Sequence, residues 1–158
     1  MDFARFIAAR FGPSLRSPCR LTRTTPAGDQ IRITPDELGR LGEDIARRWL
    51  RHHGLKILHR NYRARHGGEV DLVCRDAETL VFIEVKTRST RDFGNPADAV
   101  DRTKQRLVVR GAHDWLRRLG QPDIHYRFDI VEVIARDGEP PGVNHLRNAF
   151  HSADEYYY

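Results

Sequence analysis

Apolar residues along the chain recur at two spacings, one typical of helices and one typical of strands. The first helix is predicted over residues 35–53. Its apolar positions recur every three or four residues: Leu38, Leu41, Ile45, Trp49 and Leu50. Thr34 and Glu37 form the pattern of a capping box at its start. Pro35 suits the first helical position, and Gly54 ends the helix.

Three short segments after this helix predict strands, and the last two are rich in Val, Ile and Phe. They cover residues 55–62, 69–74 and 80–87. A basic loop over residues 63–68, which ends in two glycines, separates the first two strands. Residues 75–79 form a hairpin turn, so the second and third strands should pair antiparallel.

A second long helix is predicted to open at Asn95-Pro96, after a loop over residues 88–95, and to close at Gly120. Apolar or small residues at helical spacing mark its buried side: Val100, Leu107, Val108, Gly111, Trp115 and Leu119. A last strand over residues 126–134 contains few polar positions, which predicts burial on both faces.

The resulting element order is α-β-β-β-α-β, with one short further element near residues 143–150. A helix between two strands implies a crossover, so the last strand should lie parallel to a neighbour. The sequence therefore predicts one α/β domain, residues 35–150, with a mixed central sheet flanked by helices. Residues 1–34 lack a sustained period and predict a largely disordered basic arm, whose first 11 residues also fit a short amphipathic helix. Residues 151–158 form a tail.

Charge points to an acidic partner. The 158 residues carry 27 Lys and Arg against 22 Asp and Glu, and the net charge of +5 favours nucleic acid. The excess is uneven, because residues 1–35 carry +4 while the remaining 123 residues carry 21 basic and 20 acidic side chains. The folded part must therefore bind polyanions through local patches or through a metal.

Two further features concern location. No stretch approaches the ~20 apolar residues needed to cross a membrane. The two cysteines, Cys19 and Cys74, form neither a metal-binding pair nor a disulfide framework. A reduced cytoplasmic protein without a membrane partner is the simplest interpretation.

The candidate chemistry lies on the predicted hairpin. Glu84 and Lys86 are two positions apart on a strand and therefore share a face. If the turn is centred between residues 77 and 78, Asp71 faces Glu84, and Glu69 faces Lys86. Directly opposed side chains lie about 5 Å apart at Cβ, so three acids and one lysine converge among apolar neighbours.

Two carboxylates at that distance would repel each other in apolar surroundings, and a hard divalent cation resolves the conflict. Mg²⁺ takes oxygen ligands, keeps several waters and bridges to phosphate. Lys86 beside the metal can orient or deprotonate a water, or stabilise charge on a phosphate. These residues predict a metal site for phosphodiester hydrolysis, and a cross-strand acid–lysine pair on a solvated face is the alternative.

Further candidates surround this site. Glu43 follows Gly42 on the first helix, where small residues would let the helix approach a sheet or a ligand. A surface glutamate beside Arg47 is the open alternative. Lys104 borders the buried side of the second helix, and it either reaches a phosphate or lays its stem along the core. Asp129 is interpreted as a structural partner of a nearby arginine. Four arginines flank the acids and are candidate phosphate contacts: Arg63, Arg65, Arg88 and Arg91.

Together these residues resemble the YraN family of predicted nucleases, within the PD-(D/E)xK, or restriction-endonuclease-like, superfamily. The likeness covers about residues 38–150. It rests on these segments: Gly39…Gly42-Glu43…Ala46, Asn61-Tyr62-Arg63, Gly68-Glu69-Val70-Asp71-Leu72, Phe82-Ile83-Glu84-Val85-Lys86-Thr87-Arg88, Phe93-Gly94, Lys104 and Arg127-Phe128-Asp129.

The resemblance implies a Mg²⁺ or Mn²⁺ site with Asp71 and Glu84 as ligands and Lys86 as the catalytic lysine. The chain is also similar to Holliday-junction resolvases, in which a helix glutamate joins the strand acids, and that role would fall to Glu43. Val70 stands where the superfamily pattern has a proline, which is loosely kept there.

The expected function is therefore a metal-dependent DNA endonuclease acting on branched or processed DNA. Two alternatives stay open: a nucleic-acid-binding module with the nuclease fold but little or no cleavage, and a protein-interaction subunit whose acidic pocket is structural. Resolvase-like activity would need two sites and hence a homodimer, although the sequence shows no clear apolar dimer face.

Overall fold

The structure, a computed structural model, describes residues 15–89 and 101–152. No helix within these two ranges is both long enough and apolar enough to span a membrane. In chain order the elements are β1 (Thr22–Thr24), β2 (Gln30–Arg32), α1 (Pro35–His52), β3 (Lys56–Arg63), β4 (Glu69–Asp76), β5 (Thr79–Arg88), α2 (Arg102–Arg118), β6 (Tyr126–Ile134) and β7 (Gly142–Phe150).

Strands β3 to β7 form one sheet in chain order. β5 and β6 pair in parallel, and all other neighbours in this sheet pair antiparallel. The parallel pair is the one joined through α2, as expected for a crossover connection. The prediction of a single α/β domain with a mixed central sheet is confirmed, and this arrangement is compatible with a restriction-endonuclease-like fold.

Side chains alternate across the sheet and divide the apolar core into two clusters. Leu72 and Ile83 belong to the cluster that includes the buried residues of α1. Their strand neighbours Val73 and Phe82 belong to the cluster that includes the buried residues of α2. Because successive strand residues point to opposite faces, α1 and α2 cover opposite sides of the sheet.

Helix α1 begins as its capping box predicts. The hydroxyl oxygen of Thr34 accepts a hydrogen bond from the backbone N–H of Glu37 at 3.2 Å. In return, Glu37 Oε2 accepts from the backbone N–H of Thr34 at 2.7 Å. Two N–H groups that the first turn leaves without helical partners are thus satisfied, which sets the start of the helix that carries Glu43.

Helix α2 starts later than predicted. Its N-cap is Asp101, whose backbone is extended and whose side chain accepts from the N–H of Lys104 at 2.8 Å. The predicted opening at Asn95-Pro96 lies outside the described residues. The Asp101 side chain satisfies an N–H of the first helical turn, so α2 begins at Arg102.

The N-terminal segment differs from the disordered arm that composition predicts. Residues 15–33 include the antiparallel pair β1–β2, and Leu15, Cys19 and Leu21 are buried in the same core cluster as α1. The backbone N–H of Cys19 donates to the carbonyl of Glu139 at 2.7 Å. These three apolar residues pack the segment against the core. Because their spacing is irregular, the sequence shows no helix or strand period that would have predicted an ordered segment. Residues 1–14 lie outside the described range.

Strand β7 is longer than the short element predicted near residues 143–150. It covers nine residues, Gly142–Phe150, and pairs antiparallel with β6 at the edge of the sheet. Most of its side chains are exposed or half-buried. An edge strand needs little apolar content, which is why the sequence pattern is weak there.

Candidate active site

The hairpin of β4 and β5 has the register predicted from the sequence. Its paired residues run from Asp76↔Thr79 at the turn to Leu72↔Ile83. One step further along this register, Asp71 lies opposite Glu84. The tight turn holds Ala77 with a positive φ of 49°, so the chain reverses without an extra residue that would shift the register.

Asp71 and Glu84 form the centre of the candidate site. Their carboxyl groups share a hydrogen bond, and Asp71 Oδ2 also accepts from the backbone N–H of Val85 at 2.8 Å. Glu84 is only 5% exposed, on a strand whose neighbouring residues are apolar. A buried acid, Glu84, is thus held against a half-buried one, Asp71.

Burial and proximity raise the pKa of both groups. Burial, followed by the neighbouring Asp71 carboxylate, raises the pKa of Glu84 to about 8. Burial likewise raises the pKa of Asp71, although the hydrogen bond from Val85 opposes the shift. In the absence of a cation the pair therefore retains a proton near neutral pH, because two adjacent carboxylates, one of them buried, cannot both ionise cheaply.

Lys104 is the lysine that contacts the acids. Its ammonium lies 2.5 Å from Glu69 Oε1 and 3.4 Å from Glu84 Oε1. Burial alone lowers the pKa of Lys104, but the hydrogen bond with Glu69 and the neighbouring carboxylates raise it above its usual value. The same hydrogen bond lowers the pKa of Glu69. The sequence left open whether Lys104 reaches toward the site or lays its stem along the core. In the structure its ammonium reaches into the site.

A close backbone contact brings Lys104 to this position. A Cβ on Gly68 would lie 2.3 Å from the backbone nitrogen of Gly111, and a Cβ on Gly111 would lie 2.8 Å from Val70 Cγ2. Only glycine at both positions lets α2 touch the start of β4. The N-terminal turn of α2, which carries Lys104, is thereby placed beside Glu69.

Glu43 approaches the same acids from α1. Burial, followed by the charge of Asp71, raises the pKa of Glu43, and a side-chain hydrogen bond with Asn61 opposes the rise. The preceding residue, Gly42, is buried, and a Cβ there would lie 1.8 Å from Thr87 Oγ1. The small residue predicted to allow a close approach thus lets α1 cross β5 and places Glu43 near Asp71.

Asn61 is a site residue that the sequence marks only through the family resemblance. It lies within β3, yet its φ is +50°, in the left-handed region where asparagine is tolerated better than most residues. Its side chain hydrogen-bonds Glu43. An asparagine inside a strand run is the available signal, but its partner on α1 is not readable from spacing.

Lys86 shares the strand face of Glu84 and is exposed, whereas Glu84 is buried. Among the described residues, no carboxylate lies within ion-pair distance of the Lys86 ammonium. The structure thus leaves Lys86 at the open side of the site, where it can meet a ligand from solution. The expected contact between Glu69 and Lys86 is replaced by the Glu69–Lys104 pair.

The candidate arginines differ in their surroundings. Arg88 lies on β5 with its Nε 2.8 Å from Glu132 Oε1 on β6. Arg63 at the end of β3 contributes a positive charge near Glu69. Arg65 is exposed in the β3–β4 loop. Arg91 lies outside the described residues.

Asp129 has the structural role predicted for it. It is fully buried and accepts from Arg127 Nε at 3.0 Å and from the backbone N–H of Asn148 at 2.8 Å. His145 Nε2 lies 2.8 Å from its other oxygen. These partners outweigh burial and lower the pKa of Asp129, so its charge is compensated within the fold.

The Asp71–Glu84 pair suits an oxygen-liganded cation. Glu84 Oε2 is buried and has no hydrogen-bond partner among the residues described, and such an atom costs free energy. A divalent ion between the two carboxylates would satisfy it. Within residues 15–89 and 101–152, no three His, Cys, Asp or Glu side chains form a ready metal-binding group. The remaining ligands would therefore be water or substrate oxygens, as Mg²⁺ prefers.

Comparison with known proteins identifies the family. The profile described as "Uncharacterised protein family UPF0102" matches residues 42–133. The chain belongs to this family. A UPF0102 protein of Geobacter sulfurreducens is 45% identical over 116 residues, which cover 73% of this chain and 90% of the relative.

Other UPF0102 relatives give the same picture. One from Rhodococcus jostii is 44% identical over 113 residues, or 72% of this chain and 95% of the relative. One from Anaeromyxobacter dehalogenans is 49% identical over 113 residues, or 72% of this chain and 83% of the relative. The UPF0102 match contains all the acids and lysines of the candidate site, whereas residues 15–33 precede it.

Proposed function

We propose that the chain is a Mg²⁺- or Mn²⁺-dependent DNA endonuclease of the PD-(D/E)xK superfamily. The observation that carries this proposal is the Asp71–Glu84 pair, in which Glu84 is buried and its Oε2 has no hydrogen-bond partner among the described residues, while Asp71 is half-buried. Lys86 follows on the same strand face and is open to solvent. The combination supports metal and phosphate chemistry better than a solvated ion pair, because one of the two adjacent acids is buried.

The protein groups divide the work of phosphodiester hydrolysis. Asp71 and Glu84 would hold the metal, and Glu43, whose pKa the charge of Asp71 raises, is the candidate third acid. When bound, the metal would polarise a phosphate oxygen and make a bound water more acidic. Lys86 would orient the attacking water or stabilise charge on the phosphate. Lys104 holds Glu69 and Glu84 in place until substrate binds.

DNA as the substrate is supported by the basic composition, by the exposed Arg63 near Glu69 and by the exposed Arg65 in the adjoining loop. They suit phosphate contacts that position a strand without reading its bases. The likeness to junction resolvases supports branched or processed DNA, which two sites in a homodimer would cut symmetrically. Sedimentation of the full chain with and without junction DNA tests that arrangement.

A cleavage screen tests the reaction. The full chain is incubated with Mg²⁺ or Mn²⁺ and with supercoiled, linear duplex, single-stranded and four-way-junction DNA. Wild type should cut at least one substrate, and Lys86→Ala should slow cutting by at least about a hundredfold. Lys56→Ala is the matched control, since Lys56 is an exposed lysine on β3 outside the site, and it should cut as wild type does.

One observation favours a second candidate, a nucleic-acid-binding module without efficient cleavage. The described residues form no metal-binding group of three protein ligands. Such a module would bind DNA with a steep salt dependence and respond little to metal. If wild type binds DNA yet cuts none of the four substrates with either metal, the endonuclease proposal is overturned and the binding module stands.

A further inference from the structure

The outward face of α2 carries a basic side chain on every turn. We call these residues the α2 stripe: Arg102, Arg106, Arg110, His113 and Arg117. At about 100° per residue they fall within a sector of about 80°, opposite the buried residues Val108 and Gly111. With a rise of 1.5 Å per residue, the stripe is about 22 Å long.

The three N-terminal arginines of the stripe, Arg102, Arg106 and Arg110, have no acidic partner on their own helix, whereas Arg117 pairs with Asp114. The one acid in α2 is Asp114, which is 9% exposed and accepts a hydrogen bond from the hydroxyl of Tyr62 at 2.5 Å. Asp114 also pairs with Arg117 and Arg118. Arg102, Arg106 and Arg110 are exposed, and no ion pair joins them to a carboxylate within the described ranges.

Helix α1 provides the contrast. It also carries several arginines, but they alternate with acids along the helix. Arg47 and Arg48 both pair with Asp44. The outer surface of α1 is therefore of mixed sign, whereas that of α2 has a single sign. Like charges at i and i+4 destabilise a helix, so the run of arginines at positions 102, 106 and 110 costs α2 some helix stability.

The C-terminal half of the stripe borders a cleft of about 700 Å³ between α2 and the β3–β4 loop. Arg110, His113 and Arg117 line this cleft from α2 together with Asp114, and His66 lines it from the loop. Near the start of the helix, Lys104 contacts the candidate active site. At about 100° per residue, Lys104 lies on the side of α2 opposite the stripe. One helix therefore carries the basic surface on its outward side and a contact to the acids on its inward side.

We propose that the α2 stripe binds the phosphate backbone of duplex DNA, on the outward side of the helix whose Lys104 contacts the candidate active site. Each strand of a duplex carries one phosphate per about 3.4 Å of helix axis, so about 22 Å of duplex includes roughly six phosphates on each strand. The exposed arginines favour a polyanion, and the choice of DNA over an acidic protein rests on the proposed function. Contacts to phosphates carry no sequence information, so binding through them does not depend on base sequence.

The test is DNA binding measured without divalent metal, so that the active site contributes no cation. Fluorescence anisotropy of a labelled duplex of about 30 base pairs is followed at several NaCl concentrations, in EDTA. The stripe variant is Arg102→Gln, Arg106→Gln and Arg110→Gln. The control variant removes the same charge at three exposed arginines elsewhere: Arg32→Gln, Arg51→Gln and Arg75→Gln. Circular dichroism and thermal melting confirm that both variants fold.

The stripe variant should bind at least about tenfold more weakly near 100 mM NaCl, and its plot of log affinity against log salt should be about three units flatter. The control variant should stay within about threefold of wild type with an unchanged slope. Equal losses of DNA affinity in the two variants, or binding of polyglutamate in place of DNA, would overturn the proposal that the stripe binds DNA. If the pattern holds while no substrate is cut with metal, the stripe stands and the endonuclease proposal falls.

Discussion

Asp71 Oδ2 accepts a hydrogen bond from the backbone N–H of Val85 at 2.8 Å, just beyond the last backbone pair of β4 and β5, Leu72↔Ile83. A side-chain oxygen therefore satisfies a strand N–H at the open end of the hairpin. The same carboxylate bonds Glu84. Asp71 thus has a structural task, which needs only an oxygen, and a chemical task, which needs a charge.

Asp71→Asn should separate these two tasks. The amide oxygen can still accept from Val85, so the free energy of unfolding should stay within about 1 kcal/mol of wild type or rise as the acidic repulsion ends. Affinity for Mn²⁺ should fall at least about tenfold, because the amide is a neutral ligand. Asp71→Ala also removes the acceptor and should cost about 1–3 kcal/mol. Urea unfolding and calorimetric titration measure both quantities, and equal Mn²⁺ affinity of wild type and Asp71→Asn would contradict the proposed ligand.

The raised pKa of Glu84 predicts a pH dependence of stability. In the unfolded chain this group titrates near 4.5, and in the folded protein near 8. Between these values the folded state binds the extra proton, so the contribution of Glu84 to stability is greatest below about pH 4.5 and declines as pH rises toward 8. In EDTA, the melting temperature of wild type should fall over this window more than that of Glu84→Gln.

Metal should reverse this trend. Because a cation binds the ionised carboxylate, the rise in melting temperature caused by Mn²⁺ should grow from pH 6 to pH 8. The difference between wild type and Glu84→Gln isolates this group from other titrations. Parallel pH curves for the two proteins in EDTA would show that Glu84 is not the titrating group.

The core of the site was predictable because it is local in sequence. The hairpin register follows from a tight turn and from the alternation of Val73 and Phe82 with residues of the other face, so Asp71 meets Glu84 without knowledge of the rest of the fold. The structural role of Asp129 was predictable for a similar reason. A charge inside an apolar strand needs a partner, and Arg127 is two residues away.

Contacts between distant elements were not predictable. The spacing of Lys104 is compatible with an ammonium in water or in the site, and the choice depends on the backbone contact between Gly68 and Gly111. The hydrogen bond of Asn61 to Glu43 depends on how α1 lies against β3. The packing of Leu15 likewise depends on a surface that only the folded domain provides.

Lys104→Met should have opposite effects on metal binding and on catalysis. In the metal-free protein the Lys104 ammonium neutralises Glu69 and Glu84 and repels an incoming cation. Its removal should tighten Mn²⁺ binding by about fivefold, since unit charges a few ångströms apart interact by about 1 kcal/mol or more near a protein surface. Cleavage at saturating metal should nevertheless slow, because the variant lacks the Lys104 ammonium, which can stabilise negative charge on a phosphate. Weaker Mn²⁺ binding by Lys104→Met would instead show that Lys104 positions the acids for metal binding.

Gly42→Ala should disrupt the site by displacing α1, the helix that carries Glu43. The new Cβ would lie 1.8 Å from Thr87 Oγ1, so α1 must shift away from β5, at a cost of about 1–3 kcal/mol. The shift would also carry Glu43 away from Asp71 and weaken Mn²⁺ binding. Calorimetry measures the Mn²⁺ affinity, and urea unfolding measures the stability.

Gly39→Ala is the matched control one turn earlier on α1, where a Cβ has nothing within 4 Å. It should gain about 0.5–1 kcal/mol from the better helix propensity of alanine and leave Mn²⁺ affinity unchanged. If both variants bind Mn²⁺ as wild type does, Glu43 takes no part in holding the metal, and the site rests on Asp71 and Glu84 alone.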